Sequence, residues 1–508
     1  MPNASLFSLF APVILVLIGG LAALGAEPFI AKHKSKHAWL PWIAAVFLIL
    51  AGLVQIITPF GQLHGIFALD TARQWLCLAV IAATLISIGG LQQSLDRDDY
   101  AGGEPYALTL FSAAGALLMV MATDTLALFV GIEIASIAIY ALVGLRRHRS
   151  ESNEGLFKYF VMGAVFSAVL LYGAALTYGA TGSTHYGVAP LADRTTLFLL
   201  GQTLLIIGLL FKLGVVPFHF WSPDAYTGAP AAVTGFMGSV IKVGGFAALG
   251  AVWLNLAAVL SGSHPGGVLA LDAAVTVTAD AAKLLQPATL IFVVLAIISI
   301  AIGNFSALRQ TSVRRLVAFS SVAHAGYMLL ALPLPVLAAS GTSTLQLGSL
   351  WFYAVGYGIS TAGALTALAA MSGKEDQGDQ LHTLAGQGRA QPFHGLVLTV
   401  FIASFAGVPP TIGFLGKFLV FGDLVAKGYI PVAIFVMLLA VVGAAYYFKL
   451  LIGLWSASNR PAAVTGSQGL ANWTLGLAAV AVVVLIAVPN LVTRYGASAN
   501  AQAAAVVK

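Results

Sequence analysis

The sequence predicts an all-α, polytopic membrane protein with about fourteen transmembrane helices, and three observations carry that prediction. Only 8% of the 508 residues are charged and 59% are hydrophobic, against roughly 25% charged in an ordinary soluble domain; mean hydropathy is +0.94. The apolar residues form long continuous runs such as Ala11 to Ala26 and Leu475 to Val488, not the alternating strands of an outer-membrane barrel. A bilayer core about 30 Å thick takes about 20 apolar residues per helix, so the spans use roughly 300 residues and leave short loops. A soluble globular reading is excluded.

Taken in order, the first run, Phe7 to Gly25, has no Lys or Arg ahead of it. The basic n-region of a secretory signal is missing, and the segment is expected to persist as the first helix. Further spans are expected near 38–58, 74–93, 106–122, 125–144, 156–179, 195–222, 228–254, 285–304, 315–334, 345–371, 392–425, 429–455 and 471–493. The segments 195–222 and 392–425 are unusually long, and each carries a proline interruption: Gly214-Val215-Val216-Pro217 and Gly407-Val408-Pro409-Pro410. Each also holds a lysine. Paired broken helices in two halves of a chain point to internal repeats and to an ion site at mid-membrane. No Pro/Ser-rich linker, charge block or low-complexity tract marks a second domain, so residues 1–508 read as one transmembrane unit. The loops Ser261 to Gln286 and Ser372 to Gln391 are the expected mobile or partner-facing regions.

The charges orient the chain. Odd-numbered loops hold Lys32, Lys34, Lys36, Arg97, Arg146, Arg147, Arg149, Arg309, Arg314, Arg315, Lys374, Arg389 and Arg460, and even-numbered ones only Arg73, Arg194, Lys283, Lys427, Arg494 and Lys508. The positive-inside rule then places the odd loops in the cytoplasm and both termini outside. A net charge of +6 scattered over loops is no nucleic-acid surface. The single cysteine, Cys77, excludes an intrachain disulfide and an iron–sulfur cluster held by several thiolates of this chain.

Five of the 24 basic residues lie inside apolar segments: Lys158, Lys212, Lys242, Lys417 and Lys449. Glu133 joins them, nine positions after Asp124 and thirteen before Arg146, too deep to snorkel easily. A charge at the bilayer centre costs about 2.5–3.5 kcal/mol on insertion scales, so Glu133 with three or four central lysines imposes roughly 10 kcal/mol or more. That cost points to proton or cation handling; the bland alternative is helix packing by buried ion pairs. Lysine suits a proton relay because burial disfavours its charged form and a nearby carboxylate restores it. Making and breaking a Glu–Lys contact therefore loads and releases a proton. Lys158 and Lys449 each have a snorkelling route, so an interfacial anchor competes with a relay role. His219 and His324 lie in polar-flecked membrane segments and are candidate proton carriers between lysines. No His or Cys at i+3 or i+4 accompanies either one, which speaks against metal or haem. A structural hydrogen bond at the helix break is the competing reading of His219. Ser320, Ser321 and Tyr327 suit water-linked steps or ordinary helix packing.

Several runs then carry a resemblance. Val130-Gly131-Ile132-Glu133-Ile134-Ala135-Ser136, Glu154-Gly155-Leu156-Phe157-Lys158-Tyr159-Phe160, Tyr178-Gly179-Ala180-Thr181-Gly182, Pro217-Phe218-His219-Phe220-Trp221-Ser222-Pro223-Asp224-Ala225-Tyr226-Thr227-Gly228-Ala229-Pro230 and Gly413-Phe414-Leu415-Gly416-Lys417-Phe418 resemble the subunit N family of bacterial respiratory complex I, the proton-pumping NADH–quinone oxidoreductase. The resemblance spans about residues 100–455; the first three spans and the last match only in length and hydropathy. It implies antiporter-like inverted five-helix repeats at 101–254 and 285–456, flanked by N-terminal helices in 1–100 and a last helix at 471–494, with helices 7 and 12 broken. It implies Glu133 and Lys212 as a coupled pair, Lys242 as central relay, Lys417 as terminal site of the second half and Lys158 as a further relay lysine. No cofactor is expected in this chain: flavin and iron–sulfur clusters belong to partner subunits and quinone to neighbours. The implied partners are other membrane subunits, including antiporter-like subunit M and small ones, in a bacterial inner membrane. A subunit of a multisubunit sodium/proton antiporter is the second reading. A scaffold with non-titrating ion pairs is the third.

Overall fold

The computed structural model describes residues 3–30, 36–98, 100, 102–262, 269–332, 342–457 and 469–487. Helices α1 (Leu6–Ile30) and α2 (Lys36–Ile57) are followed by a hairpin of β1 (Gly61–Leu63) and β2 (Phe67–Leu69), then α3 (Thr71–Arg97), α4 (Glu104–Met121), α5 (Thr125–Val143) and α6 (Ser150–Thr181). Helix α7 (Thr195–Leu213) stops at Gly214, which closes it with φ +66°. The chain restarts as short α8 (Ser222–Gly228), then α9 (Ala231–Phe236), which runs through a π turn at Met237–Ile241 into α10 (Lys242–Leu260). Strand β3 (Val275–Thr278), α11 (Ala279–Leu308) and α12 (Val313–Leu330) precede β4 (Thr342–Leu345), which pairs antiparallel with β3. The chain ends with α13 (Gly348–Met371), the one-turn helices α14 (Leu381–Leu384) and α15 (Gln387–Ala390), α16 (Pro392–Ala406), α17 (Ile412–Ala426), α18 (Ile430–Trp455) and α19 (Gly469–Val484).

Among the described residues twelve helices are long and apolar enough to cross a membrane, α9 to α10 counting as one. Two expected spans fall outside that set for physical reasons. Helix α12 carries Arg314, Arg315, Ser320, Ser321 and His324 in 18 residues, which lowers its hydropathy. The 392–425 segment is two helices of 15 residues each, parted where Gly407 takes φ +80°. Other bounds shift too: α3 runs to Arg97 and α11 starts at Ala279, inside the stretch expected to be an external loop.

Helix starts follow ordinary capping chemistry. Asp70, Asp124, Thr278, Ser312 and Thr411 each accept a backbone N–H from the first turn of α3, α5, α11, α12 and α17. Helix α13 sits at the centre with its whole spanning window buried, and α9–α10 is nearly as enclosed. Lipid offers no hydrophobic drive for helix association, so close packing of small residues replaces it. A Cβ on Gly173 of α6 would stand 2.7 Å from the Gly201 carbonyl oxygen of α7, and one on Gly303 of α11 would stand 2.6 Å from the Ala323 nitrogen of α12.

The loop 372–391 is not a loose polar segment. Asp376 is buried and takes Arg97 on Oδ1 at 3.0 Å and Arg146 on Oδ2 at 2.8 Å, with Arg314 at 3.7 Å. Its Oδ2 also accepts the Ala231 N–H at 3.0 Å, at the start of α9. Asp98 pairs with Arg146 at 2.6 Å and Asp379 with Arg314 at 3.0 Å. Burial by itself raises the Asp376 carboxyl, but Arg146, Arg314 and Arg97 outweigh it and hold the group at about 2. Arg97, Arg146 and Arg314, expected only to mark the cytoplasmic side, are therefore interior residues that tie α3, the α5–α6 loop and α12 to one carboxylate.

Candidate functional site

Glu133 and the lysines Lys212, Lys242 and Lys417 fall into two groups with different partners. In the first, α5 presents Glu133, Ser136 and Tyr140 on one face, the i, i+3, i+7 spacing of neighbours on a helix. The Lys212 ammonium, on the last turn of α7, donates to Ser136 Oγ at 2.8 Å and to Tyr140 OH at 3.2 Å and lies over the Tyr140 ring. Glu133 accepts the Ser167 hydroxyl of α6 at 2.5 Å. Glu133 and Lys212 are thus not in direct ion contact. Along α5, Glu133 lies three residues, a rise of about 4.5 Å, before Ser136, the nearer acceptor of the Lys212 ammonium.

The second cluster is organised by α12. Lys242, the first residue after the π turn, donates to the Ser321 carbonyl at 2.6 Å and faces the Tyr357 ring at 5.8 Å. The Ser321 hydroxyl lies 3.1 Å from Tyr226 OH of α8. One turn on, His324 is held at both ring nitrogens, Nδ1 by Tyr353 OH at 2.9 Å and Nε2 by Tyr447 OH at 3.1 Å. Tyr447 also bonds Ser320. Tyr446 donates to Asn304, whose amide donates to the Leu439 carbonyl. Lys417, on α17 just beyond the break, donates to the Phe405 carbonyl at 2.7 Å and lies 5.1 Å from the Tyr327 ring centre. The break makes this possible: the end of α16 leaves its last carbonyls without helical partners, and the ammonium takes them.

Among the described residues Lys242 and Lys417 have no carboxylate partner, and carbonyl dipoles and ring faces surround their charge. Ser320, Tyr447, His324 and Tyr353 form one continuous hydrogen-bonded group, while the Ser321 hydroxyl bonds Tyr226 instead.

Two expected site residues lie elsewhere. Lys158 pairs with Glu154 and, at 2.7 Å, with Asp224, which in turn takes Arg315 at 3.0 Å. Its side chain is 44% exposed, so it belongs to a half-open ionic network at the end of α6 and α8. His219 sits in the connection between α7 and α8, partly buried, with Nδ1 lacking a hydrogen-bond partner among the described residues. Residue reasoning missed Ser136, Tyr140, Ser167, Tyr353, Tyr447 and Asn304. Their signal was present, as hydroxyls and an amide inside otherwise apolar runs, but packing explains such residues equally well.

Interrupted helices, small-residue packing and buried lysines along an apolar bundle define an antiporter-like membrane subunit, the class in which ions meet broken helices at mid-membrane. The family described as NADH:quinone oxidoreductase/Mrp antiporter, TM, matches residues 122–263 and again 256–443, and the chain belongs to that family. NADH-quinone oxidoreductase subunit N of Trichlorobacter lovleyi is 34% identical over 454 residues, covering 87% of this chain and 86% of the relative. A chain of respiratory complex I from Thermus thermophilus with bound aureothin superposes with a TM-score of 0.74 at 30% identity, over 95% of this chain and 98% of that one. A chain of the Mrp complex from Dietzia sp. has a TM-score of 0.75 at 18% identity, over 96% and 97%, a likeness of fold alone.

Proposed function

We propose that this chain is a proton-translocating membrane subunit of an NADH–quinone oxidoreductase. One observation carries the reading: Lys242 is bonded to α12, whose next turn bears a histidine bonded on both nitrogens to tyrosines, and whose Tyr327 faces Lys417. Glu133 and Lys212 form the loading pair of the first half, joined when Lys212 leaves Ser136. Lys242 passes the proton between halves and Lys417 is the terminal site. Lys158 acts at the half-exposed network with Asp224, and His219 at the break. The doubled family match supports two repeats, at 101–254 and 285–456.

The electrons run in partner subunits that carry flavin and iron–sulfur clusters, and quinone binds in neighbours; this chain contributes charge movement. The partners are the other membrane subunits, with antiporter-like subunit M and small subunits beside it. The site is a bacterial inner membrane with both termini periplasmic, in keeping with the loop charges. A three-unit change in a lysine's proton affinity corresponds to about 4 kcal/mol, and moving one charge across 100 mV takes about 2.3 kcal/mol, so the magnitudes suit a pump step.

The Mrp-like fold supports a second reading, a subunit of a multisubunit sodium/proton antiporter. Purification from native membranes separates the two. Recovery with subunits that show flavin and iron absorbance is the expected result, and recovery with antiporter subunits and no such absorbance overturns the proposal. Glu133→Gln in the assembled complex is expected to lower proton pumping and NADH–quinone turnover together; normal values in an intact complex favour the scaffold reading.

A further inference from the structure

Two cavities share one seam between α13 and α17, on the side of the membrane that the loop charges make external. The outer one, about 380 Å³, is polar and is lined by Thr344, Gln346, Ser349, Leu419, Asp423 and Lys427. The deeper one, about 180 Å³, is lined only by apolar residues, among them Trp75 and Leu78 of α3, Phe352, Val355 and Ile359 of α13 and Ile412 of α17. Helix periodicity joins the two. Gly348 borders the outer space, and Phe352, Val355 and Ile359 follow it along one face of α13; Ile412 of the deeper space shares a face of α17 with Leu419 and Asp423 of the outer one. From Ile412 to Asp423 that face rises about 16 Å.

The outer space carries opposite charges that do not satisfy each other. Asp423 and Lys427 have the i, i+4 spacing of a helical ion pair, yet among the described residues no ion pair joins them or ties either to another side chain. Both are half-buried, and the buried hydroxyl of Ser349 beside them has no hydrogen-bond partner among the described residues. Partly desolvated charges without partners are costly, so the space fits a ligand that brings one charge of each sign. The deeper space is smaller than one turn of a helix about 10 Å across, which occupies roughly 400 Å³, so it admits a hydrocarbon chain and not a partner helix. Trp75 and Phe352 lie one turn into α3 and α13, the level at which aromatic side chains meet lipid headgroups.

We propose that this seam binds one outer-leaflet phospholipid with an ethanolamine headgroup, its phosphate on Lys427, its primary ammonium on Asp423 and one acyl chain in the cleft between α3, α13 and α17. The charge balance selects the headgroup. An anionic glycerol headgroup brings no cation for Asp423, and the site lacks the surplus positive charge that holds anionic lipids. A choline headgroup carries its charge behind methyl groups that donate no hydrogen bond, whereas a primary ammonium has three donors for the carboxylate. Lipid binding at this seam is independent of the proposed pumping role and holds equally for an antiporter assembly.

The test uses the whole complex, purified from native membranes and reconstituted in vesicles. Three phospholipids with the same photoactivatable acyl chain and an ethanolamine, choline or glycerol headgroup are each added in trace, and the peptides labelled on illumination are mapped. The ethanolamine lipid is expected to label residues 75–82 and 352–359 about tenfold more than either of the others, the scale of one charge-assisted hydrogen bond. Asp423→Asn is expected to abolish that preference. Ala82→Phe, which fills the cleft and alters no charge, is expected to abolish labelling of these segments by all three lipids while the exposed face of α18 still labels. Equal labelling by the three lipids, strongest labelling by the glycerol lipid, a preference that survives Asp423→Asn, or labelling that requires removal of the partner subunits each overturns the proposal. The headgroup comparison on the unmodified complex decides the matter if a variant fails to fold.

Discussion

Replacing Asp376 by Asn keeps the side chain's size and removes its charge. In the native protein each carboxylate oxygen has an arginine, Arg97 at 3.0 Å and Arg146 at 2.8 Å, with Arg314 at 3.7 Å and the Ala231 N–H at 3.0 Å. Three buried guanidinium groups then face only Asp98 and Asp379, leaving one positive charge uncompensated in the interior. Removing one partner of a buried pair costs about 3–5 kcal/mol, a large share of the roughly 5–15 kcal/mol that holds a typical protein folded. The loss falls on the packing of α3, α9 and α12 against the 372–391 segment, since each helix keeps its own hydrogen bonds in the bilayer. Thermal unfolding of the purified complex, followed by fluorescence-detected gel filtration, reads it directly. Asp376→Asn is predicted to be destabilised by about 3–5 kcal/mol, and Asp376→Asn with Arg97→Gln to recover part of that by removing the stranded charge. Stability of Asp376→Asn within about 1 kcal/mol of wild type would refute the idea that this carboxylate organises the cluster.

The same group sets an acid limit. Its carboxyl lies at about 2 against an ordinary 3.8, so its stabilisation is complete above the unfolded value and is lost as pH falls from about 4 toward 2, amounting to roughly 2 kcal/mol; wild type is expected to lose more stability than Asp376→Asn over that window, and equal losses would contradict the assignment. Gly303→Val forces α11 from α12, where a Cβ already meets the Ala323 nitrogen at 2.6 Å, and is predicted to cost about 1–3 kcal/mol on the same melting assay, while Gly453→Ala, with open space around it, stays close to wild type. Ser136→Ala removes the nearer of the two Lys212 acceptors; a hydrogen bond to a charged group contributes about 1.5–3 kcal/mol, so NADH–quinone turnover coupled to pumping should fall about tenfold with the complex still assembled, and unchanged turnover would remove Ser136 from the loading step.

The membrane architecture and the deep charges were legible because their signals are strong in one dimension. An apolar run of bilayer length has few other meanings, a Gly-Pro interruption marks where a helix stops, and Glu133, Lys212, Lys242 and Lys417 stand out in a chain with so few charges. What was not legible depends on partners distant in sequence. Arg97, Arg146 and Arg314 near span ends look alike whether they meet water or a carboxylate more than sixty residues away; only the fold brings Asp376 and Asp379 to them. The loop that holds those aspartates looked mobile because its residues are polar, although polar residues that satisfy one another inside make a segment fixed. Tyr353 and Tyr447 come from α13 and α18 to one histidine of α12, and no spacing within a single helix reports such a meeting. The Glu133–Lys212 pair shows the reverse. Proximity was foreseeable, but the intervening Ser136 and Tyr140 are a matter of side-chain direction.

In the proposed relay Lys242 carries protons between the two halves. Protons translocated per NADH oxidised, measured with a pH-sensitive dye in sealed membrane vesicles bearing Lys242→Ala, test it most directly, with assembly verified on the same vesicles. The expected result is an intact complex in which pumping and NADH–quinone turnover fall together by about tenfold or more. Pumping and turnover at wild-type levels in that intact complex would contradict it and leave the buried lysines as packing elements.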